Sequence, residues 1–214
     1  MKNISIFILA ALTALSASGY KVESQIGKGA LGPISQLAID SDDTIRVLEK
    51  TGKVTRFNSD GSIAGVIETG MANATAIAVA PTGNTHVFST LTEVRKVKSG
   101  ARMRKVNVPI GVEHGVFDST GKKLTSSKLE NLKSAQAAKI IGDKLVVADL
   151  SARALVFHDL ESGAETARLK KGLRLCCGIF DFCEAPDHTV AVSNLGAFKV
   201  QRYDLNGKLI ADFG

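Results

Sequence analysis

The chain has 214 residues, a formal charge of +6, 44% apolar side chains, 5% aromatic side chains and no tryptophan. That length suffices for one domain with a sizeable core. Cations scattered among so few aromatic residues build no base-stacking surface, so nucleic acid is not an expected partner; the charge reads as a solvated basic surface, with weak attraction to an anionic polymer of the cell envelope as the alternative.

The chain opens MKNISIFILAALTALSASG, with Lys2 as a basic start and Ala17-Ser18-Gly19 as a small-residue end. The apolar run Ile4 to Ala17 is shorter than the roughly 20 residues that span a bilayer. Residues 1–19 read as a cleaved secretory signal, which predicts a periplasmic or secreted chain starting at Tyr20, with no membrane insertion once the signal is gone.

From Tyr20 onward the pattern is one of short apolar strands broken by turn residues. Four stretches share a layout of strand, tight polar turn and strand: Ile34 to Glu49, Ala74 to Thr90, Ala135 to Asp149 and Gly178 to Asn194. A second hairpin follows each, turning at Asp60-Gly61, Ser99-Gly100, Ser162-Gly163 and Asn206-Gly207; Asn-Gly and Asp-Gly suit such turns because they tolerate positive φ. An extra half-repeat, GVFDSTGKKL at Gly115 to Leu124, reads as an inserted hairpin. Four strands in roughly 42 residues is the repeat of a β-propeller. The predicted fold is therefore all-β: four four-stranded blades near residues 28–70, 71–109, 135–172 and 173–214, with an inserted segment at 110–134.

One pattern recurs within the repeats. A glycine-bearing lead, IGKGALGPISQLAID (Ile26 to Asp40), precedes a second strand and then an aromatic and a turn glycine, as in Phe57 and Gly61 or Tyr203 and Gly207. From Lys21 to Gly214 this resembles the NHL-repeat class of six-bladed propellers. The chain departs from that class at His86-Val-Phe-Ser89, which stands where Tyr-Val-Ala-Asp is usual, and at the inserted hairpin. GKLIADFG (Gly207 to Gly214) already gives the last unit a fourth strand, so YKVESQIG (Tyr20 to Gly27) has no blade to complete. The ring is accordingly expected to be incomplete, continued beyond Gly214 or completed by other chains, with an exposed sheet edge.

All three cysteines lie between Arg174 and His188. On the propeller reading, Cys176 and Cys177 occupy the loop that leads into a first strand, and His188 lies at that strand's far end, equivalent to Asn84. At about 3.3 Å per residue these groups stand too far apart for one metal cage. Cys183 aligns with Ala38 and Ala78 and is expected to be a small buried strand residue rather than a disulfide partner. Two adjacent loop thiols in an exported chain are expected to be oxidised. Cys176 and Cys177 are thus disulfide candidates, with partners outside this chain or with each other in a vicinal ring; a thiol role in metal or haem handling is a third option. Covalent haem attachment lacks its Cys-x-x-Cys-His motif.

The remaining candidates are sparse. Asp40, Asp42 and Asp43 read as a solvated hairpin tip rather than a calcium loop. Of His86, His114, His158 and His188, only His114, beside Glu113, is expected to reach a surface loop. No Gly-x-Ser-x-Gly, phosphate loop or His-Glu-x-x-His occurs. Propellers similar to this include lactonases and amidating lyases that hold a divalent metal in the central channel; the first strands here offer Gln36, Ala38, Ala76, Ala78 and Ala137, with Asp181 as the single carboxylate. No cofactor is expected. The predicted function is an exported, non-catalytic recognition scaffold for a protein or an envelope polymer, with Cys176, Cys177, Asp181 and Asn194 as ligand-binding residues and Leu195-Gly196 beside them. The rival classes are a metal-dependent hydrolase or lyase working in the channel and a redox or metal-handling protein using the Cys176-Cys177 pair.

Overall fold

A computed structural model describes residues 26–27, 29–100, 102–170, 172–174 and 181–214. Strands β1 (Ile34–Ile39), β2 (Ile45–Glu49), β3 (Lys53–Phe57) and β4 (Ile63–Glu68) pair in order as a first antiparallel sheet. β5 (Ala74–Val79), β6 (Thr85–Ser99), β7 (Arg102–Phe117) and β8 (Lys123–Leu129) form the second. The third contains β9 (Ala137–Ile141), β10 (Lys144–Asp149), β11 (Ala154–Asp159) and β12 (Glu165–Leu169). β13 (Phe182–Glu184), β14 (Val190–Asn194), β15 (Lys199–Tyr203) and β16 (Leu209–Phe213) form the fourth. Consecutive sheets stack face to face as the blades of an incomplete β-propeller.

Alternation along the strands explains the stacking, because successive side chains point to opposite faces. One apolar cluster, including Leu48, Val54, Ile67, Ile77, Val87 and Phe117, joins the first two sheets. A second, including Ala76, Phe88, Val112, Leu145, Val147 and Val156, joins sheets two and three. The third joins sheets three and four through Val146, Leu155, Phe157, Phe182, Val192 and Tyr203. Each fully buried Leu, Val or Phe contributes about 1.5–3 kcal/mol, so these seams carry the fold.

The turns between third and fourth strands share a local device. A buried aromatic ends the third strand at Phe57, Phe117 or Tyr203, while β11 carries His158 at that register position and runs on to Asp159; an aspartate then closes each turn. Asp60 Oδ1 accepts hydrogen bonds from the Ser62 amide and hydroxyl, Asp118 Oδ1 from those of Thr120, Asp159 Oδ1 from those of Ser162, and Asp204 Oδ1 from the amides of Asn206 and Lys208. Such Asx turns hold the glycine that follows, Gly61, Gly121, Gly163 or Gly207, at positive φ.

This device corrects the predicted layout of the second unit. Residues 110–134 are not the insertion: most of β7's blade portion and all of β8 lie within them, and they supply the third and fourth strands of that sheet. The extra material is the far part of the β6–β7 hairpin, Thr92 to Pro109, beyond a bulge at Leu91/Thr92. The Ser99-Gly100 turn is where it was expected, but the strands flanking it outrun the blade. The same alignment places His188 with Gly83, both at positive φ, rather than with Asn84.

The two outer faces of the stack differ. Ile45, Val47 and Phe57 on the first sheet are covered by Ile26 and Leu31 of the preceding segment and by Ile34 at the start of β1. On the fourth sheet the outward positions include Cys183, Val200 and Phe213, and all three are exposed. The expectation that Cys183 is buried fails for this reason. Ala78 holds the same register position, but a further sheet covers it, whereas none covers Cys183.

Candidate binding rim

β2, β6, β10 and β14 all run toward the rim where the chain passes from one sheet to the next. At this connecting rim a polar residue at or near the blade end of each second strand is bonded to the preceding connection. Glu49 Oε2 accepts the Gly32 amide at 2.9 Å. Ser89 Oγ donates to the Ala72 carbonyl at 2.6 Å. Asp149, fully buried, accepts the amides of Lys133, Ser134 and Ala152 and the Ser134 hydroxyl. Asn194, also fully buried, accepts the Arg174 amide at 2.8 Å and donates to the Gly172 carbonyl at 2.8 Å and to Gln201 Oε1 at 2.7 Å. Ser89 departs from the residue usual at this position, yet its hydroxyl tethers the connection as the carboxylate or amide does in the other units.

The predicted ligand-binding residues therefore separate. Cys176 and Cys177 lie outside the described residues, as do residues 1–25 with the signal. Asn194 belongs to the interior, its amide spent on backbone and Gln201, so it offers nothing to a ligand at the surface. Asp181 is exposed and joined to the β14 end, where its carbonyl accepts from the Ser193 amide at 3.1 Å and hydroxyl at 3.0 Å. Leu195 is exposed in a 3-10 turn (Leu195–Ala197). Gly196 donates its amide to the Arg174 carbonyl at 2.7 Å, and a Cβ there would lie 2.1 Å from that oxygen. Only glycine lets the two loops approach so closely.

Along the inner strands, polar groups tie neighbouring sheets together. Ser35 Oγ donates to the Ala74 carbonyl at 2.7 Å, and Gln36 Oε1 accepts the Ile77 amide at 2.7 Å. Among the described residues no group of three or more His, Cys, Asp or Glu side chains is arranged to hold a metal ion.

Two histidines, His86 and His114, meet instead on the face of the second sheet, and His158 of the third sheet is near enough to act on His114 electrostatically. His86 Nδ1 lies 3.1 Å from His114 Nε2, and His114 stacks on Phe88 with ring centroids 4.6 Å apart. His158, on β11, places Nδ1 3.1 Å from the Gly163 carbonyl. Burial pushes His86 down to about 4 and His114 to about 3, and lowers His158. His114 thus sits inside the blade stack and not on a surface loop, contrary to expectation, because β7 is a blade strand. His188 is the exposed one, 2.6 Å from Glu184 at the opposite, turn-bearing rim.

Charge divides between the rims. Turns of the turn-bearing rim carry Asp42, Asp60, Asp118, Asp159, Asp187 and Asp204; Asp40 there pairs with the buried guanidinium of Arg46 at 2.5 Å. The Ser162 amide and hydroxyl, with Lys144, hold Asp159 down to about 2. The connecting rim carries Lys50, Lys133, Arg153, Lys170 and Arg174, and from it projects the β6–β7 hairpin with Arg95, Lys96, Lys98, Arg102, Arg104 and Lys105.

No known sequence family matches this chain, and no curated relative does. Solved structures do share its arrangement. A catalytically inactive virginiamycin B lyase from Staphylococcus aureus, solved with quinupristin, is similar at a TM-score of 0.56 and 17% identity over 92% of this chain and 60% of that one. BamB from Moraxella catarrhalis is similar at 0.54 and 17% over 83% and 48%. Hydrazine synthase from Kuenenia stuttgartiensis is similar at 0.58 and 15% over 94% and 52%. The chain spans about half to three-fifths of the length of these proteins. Identities this low bear on fold alone, and the fold is that of a β-propeller.

Proposed function

We propose that this chain is an exported, non-catalytic binding scaffold that meets its partner, a protein or an envelope polymer, on the connecting rim. The observation that supports this reading is the series of latches at Glu49, Ser89, Asp149 and Asn194. They fix each connection to a rigid strand end, so loops from four sheets stand in constant relative positions, which is what recognition of an extended partner needs. A catalytic channel calls for several carboxylates or imidazoles converging from first strands. The described first strands contribute Ser35, Gln36 and Thr75 as neutral polar groups and one carboxylate, Glu184, which is paired with His188 at the turn-bearing rim; Asp181 lies just before β13. A binding role also accords with the general use of propellers as loop-bearing platforms.

Site-specific photo-crosslinking in the exporting cell tests this. A photoreactive residue at Asp181, Arg153 or Leu195 is expected to give one discrete adduct, and the same residue at Asn206 on the turn-bearing rim none. Adducts at Asn206 alone, or at no position, overturn the proposal. The exported protein should begin at Tyr20 by N-terminal sequencing; an uncleaved Met1 terminus contradicts the export reading.

A further inference from the structure

The hairpin beyond Leu91 is not explained by the blade. β5 pairs with β6 only as far as Ser89, and β8 pairs with β7 only from Val112, so from Thr92 to Pro109 the two strands have no other neighbour. At about 3.3 Å per residue the ribbon reaches roughly 25 Å past the sheet. Between Glu93 and Lys105 it carries six basic residues and one acidic residue, and Glu93 is paired with Arg95.

The register sorts these side chains by face. Val94 opposes Asn107, Lys96 opposes Lys105, and Lys98 opposes Met103, so all six share one face. That face has three ammonium groups, no carboxylate, and Val94 and Met103 at 65% and 63% exposure. Among the described residues only Phe198 is a more exposed large apolar side chain. As a hairpin in water this is poorly arranged. Like charges sit directly opposite each other at Lys96 and Lys105, no cross-strand pair in the ribbon joins opposite charges, and an isolated two-stranded ribbon is marginal. Each defect becomes an advantage against a surface that is anionic and apolar at once.

We propose that the β6–β7 ribbon docks this protein on an anionic lipid surface, through Lys96, Lys98 and Lys105 at the headgroups and Val94 and Met103 in the acyl boundary. A lysine stem lies along apolar surface while its ammonium stays among phosphates. Clustered cations next to an acidic leaflet add affinity within a Debye length. The ribbon lies on the membrane rather than crossing it, in the manner of an interfacial amphipathic segment. A soluble polyanion accounts for the lysines but gives no return for two protruding aliphatics, and the ribbon contains no aromatic residue for stacking on bases.

Vesicle flotation with the full chain tests this, using equimolar phosphatidylglycerol and phosphatidylcholine against phosphatidylcholine alone, with heparin binding measured in parallel. The protein is expected to float with the anionic vesicles only and to be released by salt. K96Q/K98Q/K105Q and V94S/M103S should each weaken vesicle binding at least tenfold while leaving the circular dichroism spectrum unchanged. Wild-type protein that ignores anionic vesicles overturns the proposal. So does V94S/M103S protein that floats as well as wild type, since the ribbon would then be a generic polyanion contact, as equal heparin binding by both proteins would show.

Discussion

Asn194 Oδ1 accepts the backbone amide of Arg174, twenty residues earlier, at 2.8 Å, and so holds the third-to-fourth connection against the end of β14. Asp149 does the same for the second-to-third connection with three donors, from Lys133 and Ser134, and takes a fourth from Ala152 in the turn after β10. A buried donor left without its acceptor costs roughly 1–3 kcal/mol, and more where the lost partner was charged. Asp149→Ala should therefore lower unfolding free energy by about 3 kcal/mol or more, Asn194→Ala by about 2 and Ser89→Ala by about 1. Urea denaturation gives the ranking; equal, small losses at all three contradict the latch assignment.

Leu155 on β11 and Val200 on β15 hold the same position in successive sheets, yet Leu155 is fully buried and Val200 is 47% exposed. The difference is the sheet that covers one and not the other. Leu155→Ala should cost about 2–5 kcal/mol and Val200→Ala under about 1. A comparable cost at both positions means that the fourth sheet's outer face is covered in solution.

The same open face predicts the behaviour of a thiol. Cys183 is free and exposed, so in the C176S/C177S protein it should react with a maleimide under native conditions as fast as in denaturant. Protection until the protein unfolds contradicts its placement.

Acid should loosen the seam between the second and third sheets. In the hydrogen bond between His86 and His114 one ring donates and the other accepts, so the pair cannot survive with both rings protonated. Their folded values, about 4 and about 3, lie below the ordinary 6.5. Between those limits the unfolded chain binds protons that the folded chain does not, and stability falls as pH falls. Each histidine contributes at most about 1.4 kcal/mol per pH unit through that window. Asp159, held down at about 2, acts in the same direction but lower on the scale: its contribution is intact at pH 6 and fades only below about 4. Denaturation midpoints should drop steeply from pH 6.5 to 4.5, and H86Q/H114Q should flatten that slope. An unchanged slope contradicts the assignment.

The repeat, the turns and the all-β architecture were legible because they depend on local chemistry: alternating apolar residues, and an aspartate or asparagine before a glycine. The blade boundary in the second unit was misread because two turn signals competed, Ser99-Gly100 and Asp118 to Gly121. The deciding mark was present in the aromatic before the turn. Phe117 matches Phe57 and Tyr203 in register, while nothing aromatic immediately precedes Gly100. The site was less legible. Asn194 reads as a surface amide until its partners, twenty-two and seven residues away, are known. The histidine pair joins β6 and β7, and no spacing in the sequence announces it.

Pulsed electron resonance distances between spin labels on the turn-bearing rim bear most directly on the open stack of four sheets. In a cysteine-free background, labels would be placed pairwise at Ser59, Ser119, Glu161 and Asn206, one exposed turn position per sheet. The distance from Ser59 should lengthen steadily from Ser119 to Glu161 to Asn206. A Ser59–Asn206 distance as short as that between neighbouring turns means that the four sheets close on themselves or pack as a sandwich, and the account of an open face fails.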